Sequence, residues 1–210
     1  MKNLILLDNP LVRTDVTILR DKATMEHFFR LALKRISYAL AIEISKTFRT
    51  EEYEVDTPLE KTNGYRISHP VVLVPVLRAG LSMISAFLEM LPEAKVGHIG
   101  LQRDESTLKP VDYYYKTPQN LDVAKVILLD PMLATGGSAS AAFDHLKERG
   151  AKDLVMANLI TAPEGVNKLA RDHPDVNIYT AALDRELNEN GYIVPGLGDA
   201  GDRNYGTLKV

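Results

Sequence analysis

The apolar run ending at Leu129 meets an acid and then a glycine pair, in the stretch "VILLDPMLATGGSAS". Each residue type there suits a phosphorylated sugar. Asp130 can accept hydrogen bonds from ribose hydroxyls. Gly136 and Gly137 carry no side chain, so a phosphate can approach the main-chain N–H groups closely. Thr135 and Ser138 add hydroxyl donors, and a helix starting near Ser138 directs its dipole at the same anion. A plain strand–helix turn with a serine cap would not need Thr-Gly-Gly after an acid-ended apolar strand. The stretch is not the G-x-x-x-x-G-K-[ST] loop that wraps a triphosphate, because it has no lysine and its glycines are adjacent. It suits a monophosphate at a helix start.

A second glycine cluster, "GLGDAGD", places Gly196, Gly198 and Gly201 at the G-x-G-x-x-G spacing. A dinucleotide site would need a helix, a second strand and an acid about 20 residues further on. The residues after Gly201, "DRNYGTLKV", cannot supply a helix and a strand, so the dinucleotide reading fails on context. Pro195-Gly196 instead sets a turn, and the glycines bare main chain that could read a planar base with carbonyls and ring N–H groups. A plain glycine-rich tail is the competing explanation.

These residues need elements to hold them. From Val71 onward, short apolar runs alternate with helical patterns: "VVLVPVL", "KVGHIGL", "KVILLD", "DLVMANLI" and "VNIYTAAL" read as strands. "LSMISAFLEML", "SASAAFDHLKERG" and "PEGVNKLARDH" read as the helices between them. That alternation predicts an α/β fold, an open, mainly parallel sheet with helices on both faces. Arg78 in "LRAG", Arg103 in "LQRDE" and Asp130 then end successive strands and share one rim, where such sheets bind ligands. Singly, either arginine is more often a surface ion pair; together with the acid and the Gly-Gly loop they suggest phosphates and sugar hydroxyls.

Before the sheet, a strand-like Leu4–Leu7 leads to a helix from Thr24, which can serve as its N-cap. "EEYEVDTPLEKTNGYRI" reads as a strand and a turn at Asn63-Gly64. "RDESTLKPVDYYYKTPQN" interrupts the alternation and reads as a protruding hairpin, with Tyr113 and Tyr115 on one face and Tyr114 on the other. That arm is either a surface facing a partner or a source of catalytic tyrosines. His27, His69, His98, His145 and His173 have no carboxylate at recognisable spacing and read as structural.

The 210 residues fit one domain: a core sheet over about 71–184, a hairpin arm over about 104–120 and a base-binding segment over about 185–210. A net charge of -3 gives no general attraction to nucleic acid, and the absence of cysteine removes disulfides and thiolate chemistry. The start "MKNLILLDNP" is too short in apolar residues for a signal peptide, and no run is long enough for a membrane span. The expectation is a cytoplasmic protein without membrane or nucleic-acid partners.

"VILLDPMLATGGSA" resembles the phosphoribosyl-pyrophosphate (PRPP) loop of type I phosphoribosyltransferases. Pro131, which stands where the general pattern has a second acid, is similar to the uracil phosphoribosyltransferase branch. So are "ILRDKAT", "VPVLRAGL", "GHIGLQRDE" and "YIVPGLGDAGDRNYGT", in that order along nearly the whole chain.

The resemblance implies transfer of phosphoribose from PRPP to uracil, giving UMP and pyrophosphate, with magnesium. It places Arg78 and Arg103 at the pyrophosphate, and Asp130 at the ribose hydroxyls. Pro131, Met132, Leu133, Ala134, Thr135, Gly136, Gly137 and Ser138 fall at PRPP and its 5′-phosphate. Uracil falls on Ile193, Gly198, Asp199 and Ala200, with Asp199 also near the phosphoribosyl group or its metal. Asp130, Arg103 and Asp199 are the implied catalytic residues. With Pro131 in the loop, magnesium is expected to be held mainly by the substrate's oxygens and water, with no metal ligand assigned to the protein. Relatives form dimers or larger assemblies and some respond to GTP, so a homo-oligomer with a GTP effector is implied. Some relatives of the fold also have a non-proline cis peptide at the loop equivalent to "LRAG". Two alternatives stay open: a regulatory RNA-binding protein on this fold, and a transferase for another nucleobase.

Overall fold

The computed structural model describes residues 3–103 and 110–207, with backbone alone for 102, 103 and 110–112. The N-terminal third builds one helical layer and an outlying hairpin. Strand β1 (Leu4–Leu6) is followed by α1 (Pro10–Arg20) and α2 (Glu26–Ser45). Helix α1 is absent from the sequence reading above. Its signals are Asn9, whose side chain accepts from the Leu11 N–H at 2.9 Å, and Pro10 at the first turn. Thr24 does not cap α2: Met25 holds the cap position, and the Thr24 hydroxyl donates to the Ile18 carbonyl at 2.7 Å.

Strands β2 (Thr50–Asp56) and β3 (Lys61–Ile67) pair antiparallel, with Asp56 opposite Lys61. The turn therefore falls at residues 57–60, where the Thr57 hydroxyl accepts from the Leu59 and Glu60 N–H groups. Asn63 and Gly64 lie inside β3, because the Thr57 side chain closes the turn earlier.

The remainder forms the sheet and its cover: β4 (Val71–Leu77), α3 (Leu81–Met90), β5 (Lys95–Val96), β6 (His98–Arg103), β7 (Pro110–Lys116), β8 (Lys125–Leu129), β9 (Met132–Leu133), α4 (Gly137–Glu148), β10 (Asp153–Thr161), α5 (Pro163–Asp172) and β11 (Asn177–Leu183). After them come β12 (Glu186–Leu187), β13 (Ile193–Val194) and α6 (Ala200–Tyr205). The main strand order is β1-β11-β10-β8-β4-β6-β7, with β5 beside β4 and β9 beside β10. Every pairing in this sheet is parallel except β6 with β7. The sheet also recruits β1 at one edge, beyond the 71–184 span expected for it.

Alternation along the central strands explains the two-sided cover. In β8, Ile127 and Leu129 join Phe29, Ile36, Met83 and Phe87 in one core. Val126 and Leu128 point the other way, into a second core with Phe143, Leu146, Val166 and Leu169. Helices α1, α2 and α3 therefore cover one face and α4 and α5 the other. No helix among the described residues is long and apolar enough to cross a membrane.

The β6–β7 pair is the root of the expected arm, whose residues 104–109 lie outside the described ones. Its register shifts between Gly100 and Leu101, leaving Tyr113 as the extra residue of a bulge. A Cβ on Gly100 would fall 2.6 Å from the Tyr113 ring and 3.0 Å from the Tyr114 Cβ. Tyr113 and Tyr114 thus flank Gly100 together, while Tyr115 pairs with Ile99 and packs into the second core. This corrects the expected grouping of Tyr113 with Tyr115, since a bulge breaks the period of two.

Candidate active site

Strands β4 and β8 are neighbours, but the loops leaving them go to opposite faces, toward α3 and α4 respectively. That divergence opens a crevice at the strands' carboxyl ends. Asp130 sits half-buried beside it. Its carboxyl is pushed up to about 7, chiefly by loss of solvent. A hydrogen bond from the Met132 backbone opposes this rise, and the charge of Asp199 adds to it. The "LRAG" turn closes onto the same place. Its Leu77–Arg78 peptide is cis, and the Gly80 N–H donates to the Val76 carbonyl at 2.8 Å. A Cβ on Gly80 would lie 2.2 Å from the Leu129 carbonyl oxygen, so only glycine lets this turn press against the end of β8.

Beyond Asp130 the chain steps over to continue beside β10. The buried Pro131 carbonyl accepts from Leu159 N–H at 2.9 Å and from Ile160 N–H at 3.2 Å. This anchors the loop without a second acid. Gly136 takes φ 78°, which suits glycine, and a Cβ there would come within 3.1 Å of the Gly165 carbonyl oxygen on α5. At Gly137 a Cβ would meet only the Thr135 hydroxyl oxygen, at 3.7 Å. Among the described residues, the N–H groups of residues 135, 136, 138 and 139 meet no protein acceptor, and that of Gly137 reaches only the Thr135 hydroxyl, at 3.4 Å. Asp130 and residues 132–139 line a cavity of about 110 Å³. Its free donors at the start of the 12-residue α4 are what an anion requires.

The C-terminal segment folds over this rim. Ile193 is buried in β13, and Gly196 and Gly198 take φ 63° and 79°. Asp199 caps α6, its Oδ1 accepting from the Asp202 N–H at 2.8 Å. The helix then leans on "LRAG". A Cβ on Gly201 would touch Ala79 at 3.7 Å, the Tyr205 hydroxyl donates to the Arg78 carbonyl at 3.4 Å, and Asp202 lies 3.8 Å from the Arg78 guanidinium. Arg78 itself is 65% exposed, leaving its side chain free to reach a ligand. Among the described residues, the N–H groups of Gly198, Asp199, Ala200 and Gly201 have no protein acceptor. Residues 202–205 form most of the short α6, a helix that sequence reasoning did not foresee.

The fold therefore brings together Arg78, Asp130, the 131–138 loop and the 193–200 segment. Arg103 closes β6 on the same rim, and its side chain lies outside the described ones. The expectation that the histidines lack carboxylate neighbours needs a correction at two positions. His145 lies 3.7 Å from Glu148, one helical turn on, and His173 lies 3.8 Å from Asp144. Both belong to the α4–α5 side, away from the crevice. Sequence reasoning also missed Asp184, which closes β11 as Asp130 closes β8; an acid ending a buried strand was the available signal.

A parallel sheet with a phosphate-sized loop at its switch point, an acid beside that loop and a hood above it defines the type I phosphoribosyltransferases. Solved structures agree on the fold. The AQ2163 protein from Aquifex aeolicus superposes with a TM-score of 0.93 at 36% identity, over 99% of this chain and 100% of that one. A purine phosphoribosyltransferase from Pyrococcus horikoshii shares the fold at a TM-score of 0.52 and 18% identity, over 76% and 90% of the two chains. The family description "Uracil phosphoribosyltransferase" matches residues 6–207. Proteins of that name from Salinibacter ruber and Dictyoglomus thermophilum are 51% and 53% identical, over 99% and 97% of this chain and 99% of each relative. The chain belongs to the uracil phosphoribosyltransferase family.

Proposed function

We propose that this protein transfers the 5-phosphoribosyl group of PRPP to uracil, releasing pyrophosphate and forming UMP. The observation that carries the reading is that two sets of main-chain donors at this rim of the sheet have no protein acceptor among the described residues. Residues 135, 136, 138 and 139 offer one set, with Asp130 beside it, and residues 198–201 the other. The first set suits the 5′-phosphate and the second the carbonyl oxygens of a pyrimidine.

Breaking the anomeric C–O bond leaves positive charge on the ribose and negative charge on pyrophosphate. Arg78 and Arg103 stand on the rim where the leaving group's charge would develop, and cations held there favour the separation. Asp130 in its ionised form would accept both ribose hydroxyls. Ile193 would provide an apolar contact for the base. Magnesium would neutralise pyrophosphate oxygens when bound with the substrate. Asp130 and Asp199 would lie near such an ion, with substrate oxygens and water supplying most of its ligands.

A homo-oligomer is part of the same proposal. The β2–β3 hairpin stands apart from the sheet with Tyr53, Leu59 and Tyr65 exposed, and an isolated two-stranded hairpin is marginal in water. Sedimentation at micromolar concentration tests this. GTP as an activating effector rests on the resemblance alone and is tested by rate measurements with and without it. The reaction itself is tested by pyrophosphate release from PRPP with uracil, cytosine, hypoxanthine or orotate supplied separately. Turnover with uracil alone is expected. Turnover with hypoxanthine instead would overturn the assignment.

A further inference from the structure

The "ILRDKAT" segment, residues 18–24, has no place in the crevice, yet two arginines tie it to the turn proposed to read the base. Arg20, the last residue of α1, donates from Nη1 to Asp184 Oδ2 at 2.9 Å and to the Gly196 carbonyl at 3.0 Å. Its Nη2 bonds the other oxygen of Asp184. Asp184 Oδ2 in turn accepts the Gly196 N–H at 2.9 Å. Both polar groups of Gly196 are thereby fixed by one ion pair whose acid is only 3% exposed.

Arg203 grips the turn from the other side. Its Nη1 donates to the Leu197 carbonyl at 2.9 Å and to the Leu19 carbonyl, and its Nη2 to the Asp21 carbonyl at 2.7 Å. Its stem passes beneath Gly198, 3.6 Å from where a Cβ would be. The carbonyls of Gly196 and Leu197 are thus both committed to arginines, while the next four N–H groups have no protein partner among the described residues.

We propose that Arg20 and Arg203 are positioning residues for the base: they lock the peptides of Gly196 and Leu197 so that the N–H groups of 198–201 stay aimed at uracil. The inference rests on the reading that this turn binds uracil. Neither arginine touches PRPP in this scheme, so its signature is a split between the two substrates.

The test measures kcat and both KM values for Arg20→Lys, Arg203→Lys and the uncharged pair Arg20→Gln/Asp184→Asn. Arg35→Lys serves as the comparison, since Arg35 pairs with the equally buried Asp15 but makes no contact with the turn. Losing one or two charge-assisted bonds should raise the uracil KM about tenfold, with the PRPP KM changing less than about twofold. Discrimination against cytosine should fall in the same variants, and Arg35→Lys should lower the thermal midpoint without either effect. If the Arg20 pair variant does not fold, Arg203→Lys carries the test. Folded variants with both KM values raised in proportion, or with an unchanged uracil KM, would overturn the inference while leaving the reaction intact. A wild-type protein inactive with uracil would overturn the underlying reading, and the inference with it.

Discussion

Asp130 combines two opposing demands in one carboxyl group. Burial holds its pKa at about 7 against 3.8 in an open chain. Its ionised form, the one that accepts hydroxyl hydrogen bonds, therefore disappears as pH falls below about 7. kcat/KM for PRPP should show an acid limb near that pH, and Asp130→Asn should lack it. The same variant should lose about 2 kcal/mol or more of transition-state stabilisation, read from kcat/KM, because an amide offers one acceptor where the carboxylate offers two. Stability should move the other way. A raised folded pKa means that ionisation opposes folding progressively as pH rises from about 4 through about 7. Asp130→Asn should consequently melt higher than wild type at pH 8 and lose that advantage by pH 4; a lower midpoint at pH 8 would refute the burial argument. Gly198→Val belongs to the same scale. At φ 79° a β-branched side chain is strained, and it would crowd the Arg203 stem. The uracil KM should rise sharply and the PRPP KM much less, and unchanged uracil kinetics would remove this segment from the base site.

The loop after Asp130 separates the uses of two adjacent glycines. Gly136 is required by conformation and by contact with α5, so Gly136→Ala should lower stability by about 1–2 kcal/mol as well as weaken PRPP binding. Gly137 has space for a methyl group on the open side of the loop. Gly137→Ala should leave urea unfolding nearly unchanged and raise the PRPP KM, if that space belongs to the phosphate. Equal effects of the two variants on stability would show that Gly137 is also structural. Elements of this kind were legible in sequence where pattern and function coincide. Strands β4 and β8 are continuous apolar runs because both their faces are buried, and the acid-then-glycine loop stands out by residue type. What escaped was set by local chemistry or by distant contact. Asn9-Pro10 starts α1 after a segment that reads as a strand, and the Thr57 hydroxyl moves the hairpin turn away from Asn63-Gly64. Tyr113 falls in a bulge that period-two counting cannot anticipate. The bonds of Arg20 to Asp184 and of Arg203 to Leu19 join residues 164 and 184 positions apart, and no spacing rule encodes them.

At the scale of the whole molecule, the two cores meet different parts of the crevice, and the one under α4 and α5 holds Leu133 and Ala139 of the loop after Asp130. The core under α1, α2 and α3 includes Ile193, Leu197 and Ala200, residues of the segment proposed to hold the base. The core under α4 and α5 contains none of them. Phe29 makes the link concrete: fully buried in α2, it lies under the Arg203 guanidinium with 4.6 Å to the ring centroid. A cation over an aromatic face is held by the ring's quadrupole, so removing the ring loosens Arg203 as well as the core. Phe143, equally buried in α4, meets the tilted His173 ring at 5.5 Å and has no arginine over its face among the described residues. Phe29→Leu and Phe143→Leu should each cost about 1–1.5 kcal/mol in urea unfolding, because both keep an apolar side chain and lose part of its volume. Their kinetics should differ. Phe29→Leu should raise the uracil KM through Arg203 and the turn it grips, whereas Phe143→Leu should leave it unchanged at equal loss of stability. A uracil KM that follows stability alone in both variants would mean that the base segment responds to general loosening of the fold. Divergence between them would show instead that one face of the sheet carries the geometry of base recognition and the other only its support.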